Sequence, residues 1–333
     1  MKAFVLNKYS KTAQLQLTEV PLPVLSDDEV LVEIHAAGLN LLDSKIKSGE
    51  FKPILSYKLP LIMGHDLAGI VMKTGKNVRR FKVGDEVYTR PSDFRIGTFA
   101  EQITVNEADL ALKPKNINME EAASLPLVSL TAWQALVENG KIEKGQKVFI
   151  QAGSGGVGTI AIQLAKNLGA TVATTASARN FDLLKGLGAD IIIDYKNQDF
   201  ENVLNNYDLV INSQDKKTLE KSFNILQKGG KVISISGPPT AEFARSINAP
   251  WFIRLILSIL SGGILKRAKK QQVNYQFLFM RADGSQLAQI TKLVEAGAIK
   301  PVIDKVFPFE EANDALAYVE SGRATGKVVI KIK

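Results

Sequence analysis

The sequence contains no cysteine, and this absence excludes several kinds of chemistry. Without Cys among its 333 residues, the chain cannot form disulfides, thiolate nucleophiles, iron–sulfur clusters or cysteine-ligated zinc. Histidine is nearly as scarce, because His35 and His65 are the only two. Few nitrogen ligands are therefore left for a transition metal, and we predict no metal site.

Targeting signals and membrane-length apolar runs are also missing. The start, Met1-Lys-Ala-Phe-Val-Leu, is typical of a strand and resembles neither a signal peptide nor a transit segment, so we expect a cytoplasmic protein. Eight of the ten residues in Trp251–Leu260 are apolar, but a bilayer span needs about 20 residues. We favour a buried or cleft-lining helix there. The alternative is an interfacial helix followed by the basic cluster Lys266–Lys270.

Acidic residues are outnumbered, with 34 Asp and Glu against 42 Lys and Arg, which gives a net charge of +8. Such a charge raises the possibility of nucleic acid, membrane surfaces or anionic cofactors as partners. The basic residues are scattered, and no nucleic-acid motif with interleaved aromatic residues accompanies them. We therefore predict a solvated basic surface and no nucleic-acid partner.

The order of apolar segments predicts an α/β protein with two kinds of domain. The first 110 or so residues contain short β segments between glycines, typical of a small β-rich barrel or sandwich. From about Leu125, apolar strands alternate with helical stretches, the pattern of a doubly wound parallel sheet. The predicted strands are Glu29–Ala36, Leu67–Lys73, Glu86–Arg90, Phe99–Val105, Lys147–Ala152, Thr171–Ala176, Ile191–Asp194, Leu209–Asn212, Val232–Ser236, Val273–Phe279 and Lys327–Ile332.

A glycine-rich loop follows the strand at Lys147–Ala152. It reads Gly153-Ser154-Gly155-Gly156-Val157-Gly158, a G-x-G-x-x-G motif, and it opens a helix that ends near Leu168. In this strand–loop–helix setting the glycines permit a tight turn, close approach of a pyrophosphate, and packing of the helix on the strand. The helix N-terminus attracts the anion. The loop predicts a dinucleotide site.

The residues after the second strand of this unit favour NADPH over NADH. An NAD site would place Asp or Glu about 20 residues beyond the loop, on the ribose 2′-hydroxyl. This chain offers Thr174, Thr175, Ser177 and Arg179 instead. Hydroxyls and a guanidinium can bind a 2′-phosphate that a carboxylate would repel.

The sequence resembles the medium-chain dehydrogenase/reductase superfamily, and within it the zinc-free quinone and enone oxidoreductases, which include the zeta-crystallin-like reductases. The resemblance extends over essentially the whole chain. Its motifs are Ala36-Ala37-Gly38-Leu39-Asn40-Leu41-Leu42-Asp43-Ser44-Lys45, Gly64-His65-Asp66-Leu67-Ala68-Gly69, Val83-Gly84-Asp85-Glu86-Val87-Tyr88, Ala123-Ser124-Leu125-Pro126, Leu130-Thr131-Ala132, and Gln151–Gly158 with the helix that follows.

The resemblance implies a GroES-like catalytic domain and a Rossmann domain, with the cofactor in the cleft between them. We assign 1–124 to the catalytic domain, 125–270 to the Rossmann NADPH-binding domain, and 271–333 to a return segment that completes the cleft. The family also implies a homodimer in which the strand around Val273–Phe279 extends the sheet.

The resemblance further implies roles for particular residues in cofactor binding. Ser177 and Tyr195 match positions at the ribose phosphate, and Arg323 matches a basic residue that reaches the same phosphate. Thr131 and the backbone near Phe277 and Phe279 match positions beside the nicotinamide.

Where zinc-dependent relatives carry a ligand cysteine, this chain has Asn40, and the four-cysteine structural zinc lobe is absent. His65 matches a zinc-ligand histidine, but we interpret it as structural because one histidine with Asp66 cannot make a three-ligand site.

Without a Lewis acid, the accessible chemistry is hydride transfer to a carbon that is already electrophilic. Quinones and α,β-unsaturated carbonyls are such substrates, and the oxygen that gains charge needs a donor. Asn40 and Lys45 are the predicted catalytic donors. The alternative hypothesis is a cofactor-binding structural or regulatory protein with little turnover, associated with a membrane through 251–270.

Overall fold

A computed structural model describes residues 1–52 and 55–333. The described chain divides into two compact units. Unit 1 contains residues 1–130 and 281–333, and unit 2 contains residues 131–280. Unit 1 is therefore assembled from both ends of the sequence.

The strands, in chain order, are β1 (Lys2–Leu6), β2 (Gln16–Glu19), β3 (Glu29–Leu39), β4 (Leu61–Ile62), β5 (Asp66–Thr74), β6 (Glu86–Thr89), β7 (Gln102–Asn106), β8 (Leu110–Leu112), β9 (Lys147–Ile150), β10 (Thr171–Ala176), β11 (Ile191–Asp194), β12 (Tyr207–Asn212), β13 (Leu226–Ser234), β14 (Asn274–Phe277), β15 (Ile303–Pro308) and β16 (Lys327–Lys331). The α-helices are α1 (Leu41–Ser48), α2 (Met119–Ala123), α3 (Pro126–Trp133), α4 (Gly156–Asn167), α5 (Phe181–Gly186), α6 (Lys216–Ser222), α7 (Ala241–Ser246), α8 (Trp251–Lys270), α9 (Gly284–Glu295) and α10 (Ala312–Glu320).

Unit 2 is built on a six-stranded sheet with the order β11-β10-β9-β12-β13-β14. Every neighbouring pair is parallel. Strands covered on both faces are continuously apolar, as Val148, Phe149 and Ile150 of β9 are. The chain leaves β9 toward β10 on one side and later returns to β12 on the other. The gap between the carboxyl ends of β9 and β12 is therefore a topological switch point, where such sheets bind ligands.

Unit 1 is centred on β3, which has 11 residues. In the larger sheet of this unit, β3 pairs antiparallel with β5, β7 and β16, so the last strand of the chain completes a sheet begun near its start. Val30, Val32 and Ile34 alternate along β3 and are fully buried in the core, as the two-residue period of a strand requires. A separate three-stranded sheet has the order β2-β1-β4.

Local sequence signals placed many elements correctly. The bounds of β10 and β11 are those predicted. The strand predicted at Phe99–Val105 begins only at Gln102, because Ala100 instead forms an isolated bridge with Ala3. The strand predicted at Lys147–Ala152 ends at Ile150, because the chain turns with Ala152 at a φ of 52°.

The stretch Trp251–Leu260 is helical, but the prediction of a buried helix is wrong for most of it. Helix α8 continues to Lys270, and most of its apolar side chains before Ser261 are exposed. The parallel sheet also extends beyond residue 270, since β14 pairs with β13. In the described part of the chain, no helix has the length and apolar character needed to cross a membrane.

Candidate active site

The glycine loop of unit 2 is crowded at two glycines and open at a third. A Cβ on Gly153 would lie 2.2 Å from Oγ1 of Thr174, and a Cβ on Gly158 would lie 2.5 Å from the carbonyl oxygen of Ala152. At Gly155 the nearest atom to a Cβ would be the Ala152 oxygen at 3.3 Å. Gly153 and Gly158 are thus required by packing within the protein, whereas the space beside Gly155 is largely free.

Helix α4 begins at this loop with unsatisfied backbone donors. Its N-cap residue, Gly155, has no side chain to accept from the first turn. The first N–H groups of a helix have no partner within the helix. Together with the helix dipole, they form a binding site for an anionic group. The open side of Gly155 and these donors fit the pyrophosphate of a dinucleotide.

A buried polar network supports the sheet edge beneath the loop. Asn212 Nδ2 donates to Gln151 Oε1 at 2.7 Å, and Gln151 Nε2 donates to Ser222 Oγ at 2.7 Å. Ser234 Oγ donates to Asn212 Oδ1 at 2.5 Å. Gln151, Asn212 and Ser234 follow or end β9, β12 and β13, so their side chains link the strands that form the switch point. Such satisfied networks fix one arrangement of the backbone.

Ser177 and Tyr195 lie at the same edge of the parallel sheet. In the register of β10 and β11, Ala176 faces Asp194, and Ser177 and Tyr195 are the next residues of the two strands. Tyr195 is exposed, and Arg179 is exposed in the turn after Ser177. No acidic residue lies between Thr171 and Arg179, the segment that follows α4.

The other predicted cofactor residues are distributed over both units. Phe277 ends β14 and Phe279 follows it, and both rings pack against Phe243, with centroids 5.1 and 5.4 Å away. Thr131 is buried in α3. Arg323 lies in unit 1, exposed in the turn between α10 and β16. The cofactor contacts of these residues remain predictions.

In unit 1, a lysine and an aspartate are buried together at the end of β3. Lys327 Nζ donates to the Leu39 carbonyl at 2.8 Å, to Asn40 Oδ1 at 2.5 Å and to Asp66 Oδ2 at 3.1 Å. Asp66 also accepts from Asn40 Nδ2 at 2.9 Å and from the Leu127 backbone N–H at 2.8 Å. The three side chains meet because β5 and β16, the strands on either side of β3, begin where β3 ends. The positive charge of Lys327 and the negative charge of Asp66 are thus each compensated by specific hydrogen-bond partners.

His65 and Asp43 form a second buried pair beside this network. His65 Nδ1 lies 2.6 Å from Asp43 Oδ1, and both side chains are fully buried. The other Asp43 oxygen accepts from the Asn40 backbone N–H at 2.8 Å. Since a carboxylate only accepts, the histidine proton lies on Nδ1. His65 therefore has a buried carboxylate partner in unit 1.

Several buried polar atoms of unit 1 have no hydrogen-bond partner among the described residues. They are His65 Nε2, Ser44 Oγ, Tyr57 Oη and Thr98 Oγ1. Ser44 follows Asp43 in the chain, and Thr98 Oγ1 would lie 2.4 Å from a Cβ on Gly64, the neighbour of His65. Buried polar groups are nearly always satisfied, so each of these atoms is a candidate contact for a polar ligand or water.

The hydroxyl of Tyr57 is one of these atoms, and the sequence did not single it out as a donor. Burial, and then the charge of Asp93, raises its pKa from 10.0 to about 12, and Asp43 adds to the shift. The hydroxyl therefore keeps its proton throughout the neutral range. The sequence alone does not show this, because the burial of the hydroxyl depends on the tertiary fold.

The structure changes the interpretation of Asn40. Its side-chain N–H groups face Asp66 and the Gly38 carbonyl, and its oxygen accepts from Lys327. Because these donors are already used, Asn40 does not fit the predicted role of donor to a substrate oxygen; it fixes the start of α1 instead. Lys45, the other predicted donor, is partly exposed on α1, with its ammonium 3.6 Å from Glu50.

Comparison with known protein families identifies the chain as an oxidoreductase with a GroES-like unit. Residues 26–115 match the family described as alcohol dehydrogenase GroES-like domain, and residues 187–330 match the family described as zinc-binding dehydrogenase. Within residues 1–52 and 55–333, no three His, Asp or Glu side chains are grouped to hold a metal ion.

The chain is similar along its whole length to characterised reductases. It is 36% identical to the chloroplastic NADPH-dependent alkenal/one oxidoreductase of Arabidopsis thaliana, over 99% of this chain and 79% of that protein. The quinone oxidoreductase of Coxiella burnetii superposes with a TM-score of 0.85 at 30% identity, over 100% and 99% of the two chains. The NADPH complex of Escherichia coli quinone oxidoreductase superposes with a TM-score of 0.83 at 25% identity, over the full length of both.

The chain therefore belongs to the medium-chain dehydrogenase/reductase superfamily, and the resemblance recognised in its motifs is confirmed. The predicted fold class is confirmed with it. The cytoplasmic location remains a prediction, since the Arabidopsis relative is chloroplastic.

Proposed function

We propose that this protein is an NADPH-dependent reductase that transfers hydride to an α,β-unsaturated carbonyl or a quinone without zinc. The observation that carries the proposal is the glycine loop at the switch point of the parallel sheet. Packing requires glycine at positions 153 and 158, whereas the space beside Gly155 is largely free. The relatives that use NADPH, in Arabidopsis and E. coli, support the same cofactor.

The preference for NADPH follows from what stands at the ends of β10 and β11. Ser177, Arg179 and Tyr195 offer hydroxyl and guanidinium donors to a 2′-phosphate, and the β10 end has no carboxylate to accept from a 2′-hydroxyl. Charge-assisted hydrogen bonds contribute about 1.5–3 kcal/mol each. One such bond gives at least a tenfold preference.

Unit 1 supplies the groups that stabilise the reduced substrate. When bound, NADPH supplies the hydride, and its addition to the β-carbon of an enone moves negative charge onto the carbonyl oxygen. As donors for that oxygen we propose the hydroxyl of Tyr57, which keeps its proton because burial raises its pKa to about 12, and the ammonium of Lys45 on α1. Preorganised donors of this kind typically contribute a factor of about 10²–10³ in kcat. Asn40, Asp66 and Lys327 act by holding the start of α1.

The test combines cofactor binding with turnover on a substrate panel. NADPH and NADH affinities are measured by titration, and NADPH oxidation is then followed with enones, quinones and saturated aldehydes, with products identified by mass spectrometry. We expect NADPH to bind at least tenfold more tightly than NADH, and enones or quinones to be reduced while saturated aldehydes are not. Saturable NADPH binding without oxidation on any substrate would instead show a cofactor-binding protein and refute the reductase proposal.

A further inference from the structure

Helix α8 presents an unusual concentration of exposed apolar side chains. Eight of the twenty large hydrophobic residues that are exposed in the described chain lie between 247 and 265. They are Ile247, Trp251, Phe252, Leu255, Ile256, Ile259, Leu260 and Leu265. Trp251 is 76% exposed and Ile259 is 71% exposed. Contiguous apolar surface of this kind marks an interaction site.

The helix has two distinct faces. Leu257, Ser261, Ile264 and Ala268 are its buried residues, and Ile264 and Ala268 pack into the core of unit 2. At about 100° per residue, Trp251, Phe252, Leu255, Ile256 and Ile259 fall on the opposite half of the helix, and the exposed Leu260 lies at the edge of the buried half. We call this half the outer face of α8. Because the inner face already anchors the helix, the outer face is not needed for folding.

Basic side chains continue the outer face toward the carboxyl end of the helix. Lys266, Lys269 and Lys270 are exposed and fall on the same half of the helical wheel as the apolar residues. Arg267 is partly buried and contacts Glu220 at 3.3 Å. Residues 241–270 contain six basic side chains and one acidic side chain, Glu242. The surface around α8 is therefore both apolar and strongly positive.

We propose that the outer face of α8 binds the surface of an anionic lipid bilayer. Its apolar half, from Trp251 to Leu260, enters the interface between headgroups and acyl chains, and its lysines contact lipid phosphates. Helices with an apolar face and adjacent lysines bind membranes in this way, lying in the interface rather than crossing it. At about 1.5 Å per residue, the 20 residues of α8 extend about 30 Å along the surface. Charge complementarity favours this occupant, because lipid phosphates offset the lysines of the outer face, whereas the α8 of a second copy has no acidic side chain to pair with them. The proposal is independent of the reductase activity.

The protein carries its own probe for the test. Trp133 and Trp251 are its only tryptophans, so a Trp133→Phe variant reports on α8 alone. We expect the fluorescence emission of Trp251 in this variant to shift to the blue when vesicles of phosphatidylcholine with phosphatidylglycerol are added. The same vesicles should protect this fluorescence from an aqueous quencher. Pure phosphatidylcholine vesicles should produce a much weaker response, and co-sedimentation should follow the same order.

Two sets of variants separate the apolar and charged contributions. The double change Ile259→Gln and Leu260→Gln should reduce binding more than tenfold. The triple change Lys266→Gln, Lys269→Gln and Lys270→Gln should reduce it about a hundredfold, at about fivefold for each lysine near an anionic surface. The control removes three exposed lysines elsewhere in unit 2, by Lys185→Gln, Lys216→Gln and Lys217→Gln, and matches the change in net charge.

The proposal is supported if the α8 triple variant loses vesicle binding and the control triple variant keeps it. No vesicle binding by the wild type overturns it, as does equal binding to neutral and anionic vesicles. Analytical ultracentrifugation tests the alternative that a second copy of the chain covers this face. Concentration-dependent dimerisation without lipid, abolished by the Ile259 and Leu260 double variant, would show that a second copy covers this face and would also overturn the proposal.

Discussion

Replacing Lys327 with methionine tests the buried network at the end of β3. Lys327 is 5% exposed, and its ammonium reaches three oxygen acceptors, one of them on the fully buried Asp66. Methionine preserves most of the side-chain volume but leaves the Asp66 carboxylate without its cation. Removing one partner of a buried ion pair costs about 3–5 kcal/mol, because the remaining charge stays buried and uncompensated. We expect the free energy of unfolding in urea to fall by that amount.

The same strand offers a matched control. Lys331 lies on β16 as well, with its side chain 55% exposed, and its ammonium is 3.0 Å from Glu120. An exposed ion pair contributes about 1 kcal/mol or less, so Lys331→Met should have a small effect. If Lys327→Met proves no more destabilising than Lys331→Met, the buried network does not stabilise unit 1 as argued.

A double-mutant cycle isolates the pairwise contribution. Asp66→Asn combined with Lys327→Met removes both charges, so the double variant should lose less stability than the sum of the single variants, by about 0.5–3 kcal/mol. Strict additivity would show that the two charges do not interact and would contradict the geometry.

Three further predictions concern the loop, the donors and the dependence of stability on pH. Gly155→Ala should weaken NADPH binding at least tenfold with a change in unfolding free energy of less than about 1 kcal/mol, whereas Gly158→Ala should destabilise the protein by about 1–3 kcal/mol through overpacking. Titration and urea unfolding distinguish the two. Lys45→Met and Tyr57→Phe should each lower kcat about 10²–10³-fold on the best enone or quinone with little change in NADPH affinity; unchanged kcat in both would remove these donors from the mechanism. Because burial raises the pKa values of Tyr57 and Tyr207 from 10.0 to about 12, the unfolded chain loses these protons first, and stability should fall as the pH rises from about 10 to 12. Tyr207→Phe should make that fall shallower in unfolding measurements across this range.

The nucleotide loop could be predicted because its requirements are local. The residues that make Gly153 and Gly158 necessary, Ala152 and Thr174, lie on the loop itself or on the next strand. Strand, loop and helix therefore appear together in one short stretch of sequence. The structure adds a reason for Gly153 beyond the tight turn that was predicted, since a Cβ there would crowd Thr174.

The network in unit 1 could not be predicted in the same way. Lys327 lies 287 residues from Asn40 and 261 from Asp66, and only the pairing of β16 and β5 with β3 brings them together. In the local sequence, Asn40 is an amide within a family motif and has no evident partner, so it was a candidate donor. The one local signal was the Asn-x-x-Asp spacing from Asn40 to Asp43, which is typical of a helix start.

The exposed face of α8 shows that apolar composition alone does not predict which side chains are buried. Eight apolar residues in ten predict burial, and the buried residues do follow helical spacing. What covers the other face depends on partners outside the chain. The predicted homodimer likewise stays a prediction, although β14 forms one edge of the parallel sheet.

The most direct test of the proposed activity follows the hydride itself. The enzyme is supplied with NADPH carrying deuterium at C4 of the nicotinamide, on either face in separate reactions, together with an enone that turns over. The product is then analysed by mass spectrometry and nuclear magnetic resonance. Our account predicts a saturated ketone with one deuterium on the β-carbon, from one of the two labelled cofactors. An allylic alcohol with deuterium on the former carbonyl carbon, or no transfer of label from either cofactor, would contradict it.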